Sequence, residues 1–230
     1  MAFEELRALV LDANLELVRA GLVLYTFGNV SGIDREEGVV AIKPSGVSYE
    51  EMQASDIVVT GLDGKIVDGE LKPSSDLDTH LELYKHFSQV GGVAHTHSAF
   101  ATAWAQAERP IPSLGTTHAD YFFGPVPVTA RLTDEEIEGD YVRNTGLAIC
   151  RRFEGFDPEA MPAVLVAGHA PFCWGKTPAE AVHTAVVLEY VAQMAFHTVS
   201  LNPGVSEVAQ ALLSRHYSRK HGSTATYGQK

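Results

Sequence analysis

Two histidines separated by a single residue, His95 and His97, are the side chains of this sequence best suited to chemistry. They follow the apolar pair Val93-Ala94, which indicates the end of a buried strand, and strand side chains alternate between the two faces of a sheet. Both imidazoles are therefore expected on one face, close enough to bind a single metal ion. Imidazole suits zinc, copper, iron or nickel, and a catalytic zinc commonly takes three protein ligands. The spacing also fits two surface histidines, so a third ligand is needed.

His169 is the best candidate for that third ligand, because it follows the short apolar run at residues 162–166 and so also lies at the mouth of a predicted strand. The other histidines lie on predicted helices, in a loop or in the tail, where surface or packing roles are expected. Cys173 has ligand-like spacing from His169, but a small apolar role is more typical of an isolated cysteine. Asp76 could bind the metal, act as a base, or simply begin a helix, since acidic groups favour the first turn.

Two serine-containing turns offer groups that suit a phosphate. One carries Ser45-Gly46 just after Lys43, and the other carries Ser74-Ser75. Hydroxyls, exposed backbone N–H groups and a lysine charge can together bind phosphate oxygens. Each turn taken singly is only a serine-rich turn, and the spacing does not show that the two meet.

The overall composition excludes several classes of function. The chain has 230 residues, of which 45% are hydrophobic and 20% charged, which is ordinary for a globular protein of one large or two small domains. Its formal net charge of -12 argues against general binding to nucleic acid or to an anionic membrane, since both favour proteins with excess positive charge. No apolar run reaches membrane-spanning length, and the start of the sequence lacks the features of a signal peptide. With two cysteines, Cys150 and Cys173, a disulfide framework is not expected, and a cytoplasmic location is predicted.

Apolar periodicity and turn residues predict the elements that would position these groups. The predicted helices cover residues 4–20, 77–87, 99–107, 134–153, 177–199 and 206–217, and a capping box predicts a short helix near residues 48–51. The predicted strands cover residues 22–25, 39–42, 57–60, 65–67, 93–97 and 162–166, with a hairpin turn at 62–64. Residues 26–32 and 115–124 are predicted loops. No linker or repeat interrupts residues 1–230, which predicts one α/β domain with a mixed sheet covered by helices.

Seven short motifs stand in one order along the chain, and together they are far more specific than any one of them. They are Gly28-Asn29-Val30-Ser31, Lys43-Pro44-Ser45-Gly46-Val47, Lys72-Pro73-Ser74-Ser75-Asp76, His95-Thr96-His97-Ser98, Gly115-Thr116-Thr117-His118-Ala119-Asp120-Tyr121, Pro171-Phe172 with Trp174-Gly175-Lys176, and Tyr227-Gly228-Gln229. With these motifs the sequence closely resembles the class II aldolase/adducin-head family, essentially end to end. The fifth and last motifs resemble the L-ribulose-5-phosphate 4-epimerase branch of that family.

The resemblance implies a fold and a metal centre. The fold would be a single-domain three-layer α/β/α structure with a mixed, largely antiparallel central sheet. His95, His97 and His169 would bind a divalent metal, zinc before manganese or cobalt, with Asp76 as a further ligand or a nearby base. In the family's sugar-phosphate aldolases the position of Asp76 is typically a glutamate that acts as the catalytic base, so aspartate here favours an epimerase.

The resemblance also implies how a phosphorylated pentulose would bind and which groups would move protons. The groups that would hold the substrate, mainly through its phosphate, are Gly28, Asn29, Lys43, Ser45, Gly46, Ser74 and Ser75. Asp120 and Tyr227 would be the two acid/base groups. Tyr227 would come from a neighbouring subunit of a C4 homotetramer, whose tail at about residues 218–230 completes the active site. Many family members read Glu-Tyr-Glu where this chain has Asp140-Tyr141-Val142, so no carboxylate role carries over to Val142.

The implied reaction interconverts L-ribulose 5-phosphate and D-xylulose 5-phosphate. Since C4 is not adjacent to the C2 carbonyl, its C–H is too weakly acidic for direct proton exchange. Retro-aldol cleavage of the C3–C4 bond, rotation of the bound glycolaldehyde phosphate and re-formation of the bond avoid that problem. Two proton-transfer groups on opposite sides suit such an inversion. The alternatives are a class II sugar-phosphate aldolase, an epimerase for another pentulose phosphate and, more distantly, a non-catalytic adducin-like scaffold, against which the three histidines argue.

Overall fold

In the computed structural model, which describes residues 3–222 and Ala225, seven strands form one sheet. The strands are β1 (Gly28–Asp34), β2 (Val39–Ile42), β3 (Val58–Gly61), β4 (Ile66–Asp68), β5 (Gly92–Thr96), β6 (Ala163–Leu165) and β7 (Pro171–Gly175). Their order across the sheet is β4-β3-β2-β1-β5-β7-β6, and every neighbouring pair is antiparallel. The hairpin predicted around residues 62–64 is confirmed as β3–β4.

Helices cover the sheet on both faces. They are α1 (Glu4–Arg19), α2 (Leu77–His86), α3 (Ala99–Gln106), α4 (Thr116–Ala119), α5 (Asp134–Glu138), α6 (Tyr141–Arg152), α7 (Pro178–Leu201) and α8 (Gln210–His221), with a 3-10 turn at Ala54–Asp56. Helix α7 begins as predicted, with Thr177 accepting a hydrogen bond from the N–H of Glu180 and proline in the first turn. None of the helices within the described part of the chain has both the length and the apolar character needed to cross a membrane.

Strand β1 shows how the layers are separated, because neighbouring positions on it face different helices. The Ser31 hydroxyl lies 2.7 Å from Nδ1 of His80 on α2. On the opposite face, Gly32 lies against Val10 of α1 and Pro178 of α7, and the amide of Asn14 on α1 bonds the main-chain N–H and carbonyl of Val30, at 2.9 and 3.0 Å. The sheet is therefore the middle of three layers, and the predicted α/β fold with its largely antiparallel sheet is confirmed.

Small residues in the two central strands let α1 and α7 approach the sheet closely. A Cβ on Gly32 of β1 would lie 2.8 Å from Pro178 and 3.1 Å from Val10. A Cβ on Gly92 of β5 would lie 2.4 Å from the backbone nitrogen of Pro178. Contacts this short are not tolerated by a side chain, so glycine is required at both places to seat the helices.

The prediction for residues 22–32 was wrong. Residues 22–25 form no strand, and the segment predicted as a loop contains β1, which begins at Gly28. The prediction failed because the small residues of this segment have low strand propensity. In the structure they form a buried central strand, where small residues are needed for the helices to pack closely against the sheet. Strand β7 was not predicted at all, although it pairs with both β5 and β6.

Three smaller expectations also fail. The capping box at residues 48–51 yields only a turn, in which the Ser48 hydroxyl donates to the Glu51 carboxylate at 3.3 Å rather than capping a helix. The last helix begins at Gln210 rather than at residue 206, because the chain before it is extended and the N–H of Val208 bonds the carbonyl of Ser113. The loop predicted at residues 115–124 contains α4.

Candidate metal centre and substrate cavity

His95 is held rigidly in the middle of the sheet. Its strand β5 lies between β1 and β7, where His95 is paired with Asn29 on one side and Phe172 on the other. Its ring stacks on Phe172 with centroids 4.1 Å apart, and its Nδ1 lies 2.9 Å from the carbonyl oxygen of Pro171. An Nδ1–H donated to that carbonyl fixes the tautomer and leaves Nε2 as the atom able to bind a metal.

The structure brings all three predicted histidines together. His97 follows the last residue of β5, and His169 lies in the turn between β6 and β7. The ligand atoms of His95, His97 and His169 all lie within 4.8 Å of one another, and no other group of three such side chains meets this closely in residues 3–222 and Ala225. Three imidazoles are a donor set that suits a catalytic zinc with an open position, so the residues present fit a divalent metal.

The electrostatics of the cluster keep its imidazoles neutral, which is the form that binds metal. Burial lowers the pKa of His95 to about 3, although the nearby Asp76 carboxylate opposes the shift. Partial burial also lowers the pKa of His97 and of His169. No proton therefore needs to leave these rings at neutral pH before an ion binds.

Asp76 and Asn29 form a bonded pair beside the histidines. Asp76 immediately precedes α2, and its Oδ2 accepts a hydrogen bond from Asn29 Nδ2 at 2.6 Å. Burial opposes ionisation of the Asp76 carboxyl, but the attraction between its carboxylate and the imidazoles of His95, His80 and His169, together with the hydrogen bond from Asn29, lowers its pKa overall. The Asn29 Oδ1 is buried and has no hydrogen-bond partner among the described residues. Asp76 is not in the converging ligand set, so its role as ligand or base stays a prediction.

A cavity of about 270 Å³ adjoins the cluster. His95, His97 and Asp76 line it, together with all seven residues predicted to hold the substrate, namely Gly28, Asn29, Lys43, Ser45, Gly46, Ser74 and Ser75. The cavity wall is mainly polar, so it suits a small polar ligand. His169 does not line the cavity. Its ring centroid lies 5.0 Å from that of His95 and 5.1 Å from that of His97.

The two serine turns, whose meeting could not be read from the sequence, are joined by main-chain hydrogen bonds. The N–H of Ser45 donates to the carbonyl of Lys72, and the N–H of Ser74 donates to the carbonyl of Lys43, both at 2.9 Å. Gly46 has φ +73°, a left-handed conformation that favours glycine and shapes the first turn. The turns therefore form one continuous wall of the cavity.

Lys43 supplies a positive charge from beneath this wall. Its side chain is buried, and Nζ donates to the carbonyls of Val47 and Pro44 at 2.8 and 3.2 Å. The ammonium also lies 4.9 Å from the centre of the Tyr49 ring. Burial lowers the pKa of Lys43. An anion in the cavity would offset the cost of burying the Lys43 charge, so the site suits a phosphate.

Asp120 lies elsewhere, at the end of α4, and is bonded to α8 rather than to the histidine cluster. Its carboxylate accepts hydrogen bonds from His216 at 3.0 Å and from Arg219 at 2.9 and 3.2 Å. Burial opposes ionisation, but these partners outweigh it and lower the pKa of Asp120. Asp120 does not line the cavity of its own chain. Tyr227, the other predicted acid/base group, lies outside the described residues.

Sequence reasoning did not assign several groups that surround the cluster. The Tyr141 hydroxyl lies 3.5 Å from Nδ1 of His169, and Thr26 and Phe27 line the cavity. Phe172 belongs to one of the seven motifs, but only its pairing with His95 in the sheet shows that it supports the His95 ring. Cys173 is buried, and burial raises the pKa of its thiol, which agrees with a packing role.

Comparisons with known proteins concern the family and the overall fold of the chain. The sequence model of the family described as Class II Aldolase and Adducin N-terminal domain matches residues 8–196. A solved structure of an L-fuculose 1-phosphate aldolase is 26% identical, with a TM-score of 0.79, covering 94% of this chain and 96% of that one. YgbL from Klebsiella pneumoniae, described as a putative aldolase/epimerase/decarboxylase, is 24% identical with a TM-score of 0.73, covering 94% and 99%. The L-fuculose-1-phosphate aldolase of Thermus thermophilus is 24% identical with a TM-score of 0.67, covering 88% and 98%.

Proposed function

Since the chain belongs to the class II aldolase and adducin N-terminal domain family, we propose that it is a metal-dependent enzyme acting on a phosphorylated sugar. More specifically, we propose a 4-epimerase that interconverts L-ribulose 5-phosphate and D-xylulose 5-phosphate. The observation that carries the proposal is the cavity itself, in which His95 and His97 of the histidine cluster and the two serine turns border the same space. A metal-binding group and a phosphate-binding group would thus hold the two ends of one small substrate.

The three histidines would hold a divalent ion, zinc by preference and manganese or cobalt as alternatives. When bound, the ion supplies a positive charge that stabilises the anion left by carbon–carbon cleavage. The chain itself prepares the site by keeping the imidazoles neutral and by orienting His95 through the carbonyl of Pro171.

The remaining steps belong to the chain's own residues. One acid/base group accepts the proton of the C4 hydroxyl, the C3–C4 bond breaks, and its electron pair passes into the three-carbon fragment. The serine turns and Lys43 retain the released glycolaldehyde phosphate by its phosphate while the aldehyde turns over. The three-carbon fragment then attacks the other face, and a proton returns to the C4 oxygen from the opposite group. Asp120 and Tyr227 are proposed for these two roles.

The environment of Asp76 favours an epimerase over an aldolase. Its side chain is one methylene shorter than the glutamate base typical of the family's aldolases, and its Oδ2 is held by Asn29 Nδ2 at 2.6 Å. A site whose carboxylate is held in this way needs its proton transfers from elsewhere. Asp120 is a candidate, since His216 and Arg219 keep it ionised.

Because Asp120 does not line the cavity of its own chain, we propose that it reaches the histidines of a neighbouring subunit, as Tyr227 would. Asp120 is bonded to α8, the last helix before Tyr227 in the sequence, and we propose that one subunit supplies both groups. A C4 homotetramer in the cytoplasm, with the tail at about residues 218–230 completing each neighbouring site, is the assembly that we propose.

A class II aldolase is the second candidate, favoured by the likeness to an L-fuculose 1-phosphate aldolase. Incubating the zinc-loaded protein with L-ribulose 5-phosphate and following products by NMR separates the two. D-Xylulose 5-phosphate forming without free aldehyde supports the epimerase. Accumulating aldehyde would rule the epimerase out, and cleavage of L-fuculose 1-phosphate would favour the aldolase. A purified protein that binds no divalent metal and exchanges no pentulose phosphate would instead be a scaffold of the adducin type.

A further inference from the structure

Helix α3 connects two of the three clustered histidines. At its start, only Ser98 separates the helix from His97. Near its end, the carbonyl of Ala105 accepts a hydrogen bond from the N–H of Gly168 at 3.1 Å, and Gly168 is the residue before His169. His95, in contrast, is fixed by the sheet. The placement of α3 therefore adds to that of strands β5, β6 and β7 in setting where His97 and His169 lie relative to His95.

The start of α3 is capped by a carboxylate from another helix. Ser98 occupies the capping position, but its side chain caps nothing and instead accepts a hydrogen bond from the Thr96 hydroxyl at 3.3 Å. The N–H groups of Phe100 and Ala101 donate to the two carboxylate oxygens of Glu189 on α7, at 2.8 and 2.9 Å. An anion at a helix N-terminus with both oxygens bonded is a strong cap, which ties α3 to α7.

A second bond ties the same two helices further along. The indole N–H of Trp104 on α3 donates to the carbonyl of Ala192 on α7 at 3.0 Å, in a buried position. Helix α7 in turn is seated on β5 through the close contact of Pro178 with Gly92. The attachment of α3 to α7 thus places His97 and His169 in the frame of the sheet that carries His95.

We infer that Glu189 is a positioning residue of the metal centre, holding His97 and His169 at the spacing one ion requires by fixing α3. This inference rests on the proposed metal site. Glu189 does not line the cavity and is not a catalytic residue. Glutamine has nearly the same shape but only one acceptor oxygen, so Glu189→Gln would set an amide NH₂ against one of the two N–H groups.

The matched control is Glu180, a second carboxylate of α7 that accepts a main-chain hydrogen bond, from the N–H of Lys176 at 2.8 Å. Zn²⁺ affinity of the metal-depleted full chain is measured by competition with a chromophoric chelator, and Co²⁺ absorption spectra report the ligand geometry. Loss of a group hydrogen-bonded to a metal ligand typically weakens metal binding by about 10- to 100-fold, and Glu189, which acts through α3, is expected to give the lower end of that range, about 10-fold. Glu189→Gln is expected to show that loss and an altered Co²⁺ spectrum, and Glu180→Gln to match the wild type in both.

A change confined to stability would overturn the inference. That result is a lower Tm for metal-depleted Glu189→Gln with Zn²⁺ affinity within about twofold of wild type, since a simple helix cap costs stability alone. If Glu189→Gln does not fold, Trp104→Phe decides, because it removes the other α3–α7 bond: weakened Zn²⁺ binding supports the inference, and unchanged binding refutes it. A wild type that binds no Zn²⁺ would instead refute the proposed metal site, and the inference with it.

Discussion

Acidification should destabilise the metal-free protein strongly, because two buried histidines cannot take up the protons that the unfolded chain binds. Burial lowers the pKa of His95 to about 3 and that of His80 to about 4, from an ordinary value of 6.5. Both side chains are almost fully buried, at 1% and 0% exposure. Since the folded-state pKa values lie below the unfolded ones, stability is fully present above pH 6.5 and is lost as the pH falls.

The size of the effect follows from proton linkage. Each histidine costs about 1.4 kcal/mol of unfolding free energy per pH unit below its unfolded pKa, so lowering the pH from 7 to 5 should cost ~2 kcal/mol for each and ~4 kcal/mol together. Burial also lowers the pKa of His97, His118 and His169, which acts in the same direction. The pKa of Asp76 is also lowered, but because this group is a carboxyl, its contribution to stability is lost only as the pH falls toward and below its ordinary pKa of 3.8. That loss lies outside the range from pH 7 to pH 5.

The measurement is urea unfolding of EDTA-treated protein at pH 7, 6 and 5. His80→Gln should remove about half of the pH dependence, since one of the two proton-binding differences is gone. A loss below ~1 kcal/mol between pH 7 and pH 5 would refute the reasoning, because it would mean that His95 and His80 accept protons in the folded protein.

Three further predictions concern the site. His97→Asn should lower zinc content, measured by mass spectrometry, and activity together, and a variant with full zinc content would contradict the ligand role. Tyr227→Phe should keep its zinc but lower kcat by about 10²- to 10⁴-fold, and full activity would remove the acid/base role. Lys43→Met should raise KM for L-ribulose 5-phosphate by about 10- to 100-fold, because that is the loss in affinity expected when one hydrogen bond to a charged group is removed. Its Zn²⁺ affinity should be unchanged. An unaltered KM would show that Lys43 does not serve the phosphate.

The sequence alone determined the elements whose patterns are local. The alternation in β5 predicted that His95 and His97 share a face, and the proline and glutamate after Thr177 predicted the start of α7. The hairpin around residues 62–64 was equally visible. These features depend on neighbours a few residues apart, so period and turn chemistry suffice to find them.

Tertiary structure decided the features that depend on distant partners. Strand β1 was missed because its glycines are chosen by α1 and α7, which pack against Gly32, and not by strand propensity. His169 joins the cluster only because β7 pairs with β5, a contact between distant segments, as the bond between His95 and Pro171, 76 residues apart, shows. Glu189 likewise gave no local signal, since its partners are main-chain N–H groups almost 90 residues away.

The sequence thus named the chemical groups, and the fold decided which of them meet. The seven substrate-binding candidates share one cavity wall because main-chain bonds join the turns at Ser45 and Ser74. Asp120 was named with equal ease, yet the fold places it against α8 and away from the cavity of its own chain. Residue type determines the chemistry that a side chain can perform. Long-range hydrogen bonding and packing determine which side chains lie next to it, and local sequence patterns do not encode those contacts.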